Sequence, residues 1–173
     1  MSVSVGRATL DDQDRVEKLS QSDKAVKEFK YLWRRYGNWG NERSYPIIAV
    51  SDEDDLLVGF HAAAFGRFYV NSYYQLVAPE VRGTGLGGRM VGFLLSEAQR
   101  LGCVRLKFKV PHDSEGQRFW EGFGLQPFGK DARHYLYDYS LEGVTKPSDL
   151  ARAKAQILER DMDRYRLSGI EVL

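Results

Sequence analysis

Val77-Ala78-Pro79-Glu80-Val81-Arg82-Gly83-Thr84-Gly85-Leu86-Gly87-Gly88-Arg89-Met90 joins an apolar run to a helical pattern through a proline stop and a glycine-dense turn. Without side chains at 83, 85, 87 and 88, backbone N–H groups there can close directly on a ligand. The first N–H groups of the helix that follows have no internal partner and sit at the positive end of its dipole. A strand, a turn and a helix of this kind suit a phosphate. Gly83, Gly85 and Gly88 satisfy the dinucleotide pattern formally, but the acidic residue expected about twenty positions on is replaced by Phe108 and Lys109. A P-loop would need Gly-Lys-Ser/Thr where Gly88-Arg89-Met90 stands.

The stretch does fit Arg/Gln-x-x-Gly-x-Gly/Ala, as Arg82-Gly83-Thr84-Gly85-Leu86-Gly87. It thereby resembles the acyl-CoA loop of the GCN5-related N-acetyltransferases (GNAT). A second run supports the likeness: the family often ends its fifth strand in Val-x-x-x-Asn and continues with Phe-Tyr-x-x-x-Gly-Phe. Here Val110-Pro111-His112-Asp113 leads to Phe119-Trp120-Glu121-Gly122-Phe123-Gly124-Leu125.

Outward from the loop, Tyr69 to Val77 reads as a strand with Tyr73, Gln75 and Val77 on one face and Tyr74 and Leu76 on the other. Leu86, Met90, Leu94, Ala98 and Leu101 form one helical stripe that Gly102 stops. Val104 to Val110 alternates as a strand with an apolar and a cationic face, completing a βαβ unit. Upstream, Val3 and Val5 mark a short strand, and Thr9-Leu10-Asp11-Asp12 opens a helix as a capping box. Asp23 to Tyr36 reads as a second helix. Ile47–Val50 and Leu56–Phe65 flank the acidic turn Ser51–Asp55 as a hairpin. Downstream, a short helix starts after Ser114, a last strand covers His134–Ser140, and Leu150, Ala153, Ile157 and Met162 fall on one side of a helix reaching about Arg166.

The resemblance implies an α/β (α+β) fold with a central mixed, mostly antiparallel sheet flanked by helices. It covers a domain at 1–144, with 145–173 a C-terminal helical extension expected to dock on that domain or in a dimer contact. Lys plus Arg number 25 against 24 Asp plus Glu, so the net charge of +1 implies no global attraction to nucleic acid or membrane. The single cysteine, Cys103, forms no intrachain disulfide, and nothing suggests a metal cluster. With no signal peptide or apolar span in the sequence, a cytoplasmic protein, monomer or homodimer, is the expectation.

The function the resemblance implies is acetyl-CoA-dependent transfer of an acetyl group to a primary amine in a ternary complex. It places Gln75, Leu76, Val77, Arg82, Gly83, Thr84, Gly85, Leu86, Gly87, Gly88, Asp113 and Trp120 against the cofactor, with a backbone N–H near Gln75–Val77 polarising the acetyl carbonyl. An alkyl ammonium of pKa about 10.4 must lose a proton before it attacks. The leaving thiolate must be stabilised, and many family members use the tyrosine of Phe-Tyr. Trp120 stands there instead, and an indole N–H is no acid. His112, Ser114 and Tyr73 are the alternatives at the thioester, and His61 could take the amine proton. Each also has a plain structural reading: a solvated loop histidine, a helix N-cap, a pocket-wall aromatic and a packed histidine.

The acceptor wall of the family corresponds to about Asp23 to Tyr45, and within it 24–45 is a basic-aromatic stretch. Tyr31, Arg34, Arg35 and Trp39, with Tyr73, are the candidate substrate contacts. Basic residues interleaved with aromatics there could hold nucleic acid or an anionic small molecule, or form an amphipathic helix with solvated cations. Three classes stay open: an acetyltransferase, including one acting on a nucleic-acid amine; an acyl-CoA-binding module without turnover; and an enzyme using another activated acyl or aminoacyl donor.

Overall fold

The structure, a computed structural model, describes residues 2–21, 43–153, 155 and 159–173. Twelve elements position the candidate site. They are β1 (Val3–Arg7), α1 (Gln13–Gln21), β2 (Ser44–Ser51), β3 (Leu57–Phe65), β4 (Tyr69–Val77), α2 (Leu86–Arg100), β5 (Arg105–Pro111), α3 (Glu115–Glu121), β6 (Gly129–Lys130), β7 (His134–Ser140), α4 (Glu159–Leu167) and β8 (Glu171–Val172). The strands form one eight-stranded sheet in the order β1-β2-β3-β4-β5-β7-β6-β8. It is mixed: β4 and β5 run parallel over Tyr69–Asn71 and Arg105–Lys107, whereas β1–β2, β2–β3, β5–β7, β6–β7 and β6–β8 are antiparallel. No helix of the described residues is long and apolar enough to cross a membrane. The chain folds as two compact units, Met1–Ala64 with Tyr73–Leu94, and Phe65–Ser72 with Leu95–Leu173.

In the first unit β3 is buried along almost its whole length, which its run of Val, Gly, Phe and Ala allows. Ala8, Val16, Ile48, Leu57, Phe60, Ala62 and Leu76 make one core cluster there. Tyr73 and Tyr74 both pack against it, so the strict alternation expected along β4 breaks at this pair. Gly59 is closely packed: a Cβ there would meet the Leu76 carbonyl at 3.2 Å and Met90 Cε at 3.3 Å. The expected capping box is present before α1, where the Asp12 carboxylate accepts the Thr9 N–H at 2.8 Å and the Thr9 hydroxyl at 3.0 Å.

In the second unit β5 alternates as expected. Leu106, Phe108 and Val110 are buried, and Arg105, Lys107 and Lys109 take the other face. Phe108 lies opposite Tyr137 on β7 and stacks on it at 4.5 Å, while Trp120 from α3 stacks on Phe108 at 4.2 Å. On the opposite face the buried Asp138 carboxylate accepts two hydrogen bonds from Arg105.

The C-terminal segment departs from the single helix expected. Pro147–Arg152 is a 3-10 turn that buries Leu150. Ala153 is extended, Ala155 bridges to Tyr139, and the α-helix occupies Glu159–Leu167. Backbone pairing at Ala155 outweighs helical periodicity. Beyond it β8 adds to β6, and the Leu173 N–H donates to the Phe128 carbonyl at 2.9 Å.

Candidate acyl-carrier site

β4 ends at Val77, Pro79–Val81 forms a 3-10 turn, and α2 starts at Leu86. Between them Gly83 and Gly85 take φ of 77° and 82°, the left-handed region that an L side chain enters at about 1–2 kcal/mol. A Cβ at either position would meet no protein atom within 4 Å, so the backbone at both glycines is bare. The Arg89 N–H donates to the Gly85 carbonyl at 3.1 Å, the first helical bond. The amides of Leu86, Gly87 and Gly88 precede it at the positive end of a 15-residue helix, where N–H groups have no intrahelical acceptor. Thr84 turns its hydroxyl inward onto the Val81 carbonyl at 2.8 Å and shapes the turn. Arg82 is exposed, with Nε held by the Val77 carbonyl at 3.0 Å. Bare backbone at the glycines, the amides of the first helical turn and an anchored guanidinium fit a pyrophosphate-bearing carrier such as CoA.

Also in this unit, His61 is fully buried. Desolvation pushes its pKa down from 6.5 to about 4, against a side-chain hydrogen bond with Gln75 that works the other way. Gln75 and Tyr73 are half-buried and Leu76 is buried.

The remaining candidates lie in the second unit, at the end of β5. The His112 N–H donates to the Arg133 carbonyl at 3.1 Å, and its ring sits 4.5 Å from the Tyr135 ring. Its Nε2 is buried with no hydrogen-bond partner among the described residues. Asp113 is exposed at φ 54°, and its N–H donates to Gln117 Oε1 at 3.0 Å. Ser114 caps α3 by accepting the Gln117 N–H at 3.2 Å, which is its plain structural reading. Trp120 is buried, in edge contact with Phe119 at 5.3 Å as well as stacked on Phe108.

Tyr31, Arg34, Arg35 and Trp39 lie outside the described residues, as does the expected helix over Asp23–Tyr36. The groups around His112 are not evident from the sequence. Tyr135 carries only a strand signal in the sequence, and the approach of His134 Nδ1 to Asp131 Oδ1 at 3.3 Å carries almost none. The only signal was the proximity of Asp131 to His134 in a turn.

Mixed sheet, glycine turn and long following helix together define an α/β protein. The chain belongs to the acetyltransferase (GNAT) family, whose sequence model matches residues 13–125. No curated protein matches the sequence. Among solved structures it is similar to a GNAT-family protein from Desulfovibrio desulfuricans, with TM-score 0.69 and 16% identity over 81% of this chain and 99% of that one. It is similar to the PaiA N-acetyltransferase of Thermoplasma acidophilum in complex with coenzyme A, with TM-score 0.63 and 12% identity over 80% and 98%. It is also similar to the ribosomal-protein-S18-alanine N-acetyltransferase of Escherichia coli, with TM-score 0.64 and 13% identity over 80% and 94%. At these identities the structures establish the fold, and the family is one of acetyltransferases.

Proposed function

We propose that the chain moves an acetyl group from acetyl-CoA directly to a primary amine while both are bound. The observation that carries this reading is the pair of left-handed glycines, Gly83 and Gly85, bare on the approach to the first amides of α2. Bound acetyl-CoA supplies an activated thioester carbonyl, and every other contribution comes from the chain. Backbone amides of the Gln75–Val77 segment polarise the carbonyl oxygen, an effect worth a few kcal/mol when donors are fixed in advance.

We assign proton removal from the amine to His112. An imidazole is a common general base, its Nε2 has no hydrogen-bond partner among the described residues, and Tyr135 lies against the ring. His61 is the weaker candidate, because burial keeps it from holding a proton at neutral pH. Ser114 is engaged as an N-cap, and Trp120 cannot act as an acid. Tyr73 is the hydroxyl we assign to stabilising the leaving sulfur. Overall the N–C bond forms, the C–S bond breaks, and a proton leaves nitrogen while one reaches sulfur.

The test incubates the protein with acetyl-labelled acetyl-CoA and separated small-molecule, protein and nucleic-acid fractions, then follows the label. Transfer into one fraction, lowered about a hundredfold or more in kcat by His112→Ala with CoA affinity kept, is the expected result. A second reading, a binding module without turnover, is favoured by Trp120 standing where an acid is expected. Measurable CoA binding without transfer into any fraction would decide for it.

A further inference from the structure

Within the second unit, β5 ends at Pro111, paired with His134 of β7, so His112 lies one residue past the paired strand. Directly after it Asp113 takes φ 54°, and the chain turns away toward the cap of α3. Across the sheet, the Arg133 carbonyl accepts the His112 N–H at 3.1 Å. The Tyr135 ring lies 4.5 Å from the imidazole at an angle of 51°. Arg133 belongs to the turn that joins β6 to β7, and Tyr135 follows it in β7.

Asp131 opens that turn. Its N–H donates to the His134 carbonyl at 2.9 Å, and its Oδ1 atom accepts the Arg133 N–H at 2.8 Å and the His134 N–H at 2.7 Å. His134 Nδ1 approaches the same oxygen at 3.3 Å. These donors, the Arg133 N–H foremost, hold the Asp131 carboxyl below the usual carboxylate range. Hydrogen bonds to an ionised acceptor are the stronger kind. The His134 N–H and the Arg133 carbonyl are the two ends of one peptide unit, which is planar and stiff. One end is gripped by Asp131 and the other holds His112. A tilt of that plane is therefore passed to the backbone at His112, and the same turn sets the start of the strand that carries Tyr135.

We propose, resting on the reading of His112 as the base for the amine, that Asp131 is a positioning residue that fixes the imidazole through the Arg133–His134 peptide. It acts through the backbone and not on the substrate, so an oxygen that accepts the two N–H groups is what the role requires.

The ring-proton signals of His112 in the full chain, assigned by their loss in His112→Ala, test this without catalysis. Asp131→Ala should move them and speed amide exchange at His112, while the β5–β7 ladder keeps its protection. Asp131→Asn retains an acceptor oxygen and should leave both close to those of the unaltered chain. In acetyl transfer from labelled acetyl-CoA, Asp131→Ala should lower kcat about tenfold with KM for acetyl-CoA unchanged, and Asp131→Asn should restore most of it. In a His112→Ala background Asp131→Ala should lower kcat no further, because both changes act on one group. Ring signals indifferent to Asp131→Ala, an asparagine variant that behaves as the alanine variant does, or a full further loss in the double variant would each overturn the proposal. A kcat unaltered by His112→Ala would remove the base assignment, while moved ring signals would still uphold the placing of the imidazole by Asp131.

Discussion

Gly85 shows how one residue type serves both backbone and ligand. Its φ of 82° suits glycine, and the space where a Cβ would stand is open. Gly85→Ala therefore meets no clash inside the protein and should cost only about 1 kcal/mol of stability, from the left-handed conformation. The added methyl would occupy the approach to the first amides of α2. Affinity for acetyl-CoA, measured by titration calorimetry, should fall more than about tenfold, a larger effect than the stability change accounts for. Unaltered affinity would remove the turn from the site. His112 and His61 make the complementary point, since the same side chain is a core residue in β3 and a candidate base after β5. The identity of the residue does not separate these roles, whereas its surroundings do.

At the scale of elements, the tail is held by a fit as tight as any in the core. A Cβ on Gly129 would lie 2.9 Å from the Glu171 carbonyl oxygen and 3.2 Å from Ile170 Cγ2. Gly129→Val should push β8 off β6 at a cost of about 1–3 kcal/mol. Amide exchange reads this directly: the Leu173 N–H, bonded to the Phe128 carbonyl, should lose protection while the β5–β7 ladder keeps it. Protection at Leu173 equal to that of the unaltered chain would contradict the account. The long elements were legible because each carries its own period. The α2 stripe is buried at Leu86, Met90, Leu94 and Ala98, Leu101 lies half-buried just past the helix end, and β5 alternates as written. The two-residue strands β6 and β8 carry no period and exist only through pairing with neighbours distant in the chain. The tail misled for the same reason. Leu150 and Met162 suggest one helix, and the bridge from Ala155 to Tyr139 interrupts it.

For the whole molecule, the buried His61 links stability to pH. Its pKa is about 4 in the folded protein against 6.5 ordinarily. Above 6.5 the ring is neutral in both states, so its penalty is absent. Between 6.5 and about 4 the unfolded chain binds a proton that the folded protein does not, and stability falls as pH falls. Across that window the loss from this group approaches about 3 kcal/mol. Asp131 and Asp149 act in the same direction at lower pH, because backbone and side-chain hydrogen bonds hold their carboxyls below the usual range. Denaturant midpoints should therefore decline from pH 7 to pH 4, and His61→Leu should flatten the part above pH 4. An equal slope in both proteins would show that another group sets it.

By itself the sequence determined the strand–turn–helix around Gly83 and Gly85, the stripe of α2, the alternation of β5 and the family these imply. Those features depend on local conformation, on glycine freedom and on burial with a fixed period, and neighbouring residues carry all three. The tertiary structure decided that His61 is sealed in the core, that Trp120 stacks on Phe108 above Tyr137, and that His112 rests against Tyr135. Each of those outcomes depends on desolvation or contact between residues far apart in the chain, and no local pattern records which distant groups will meet.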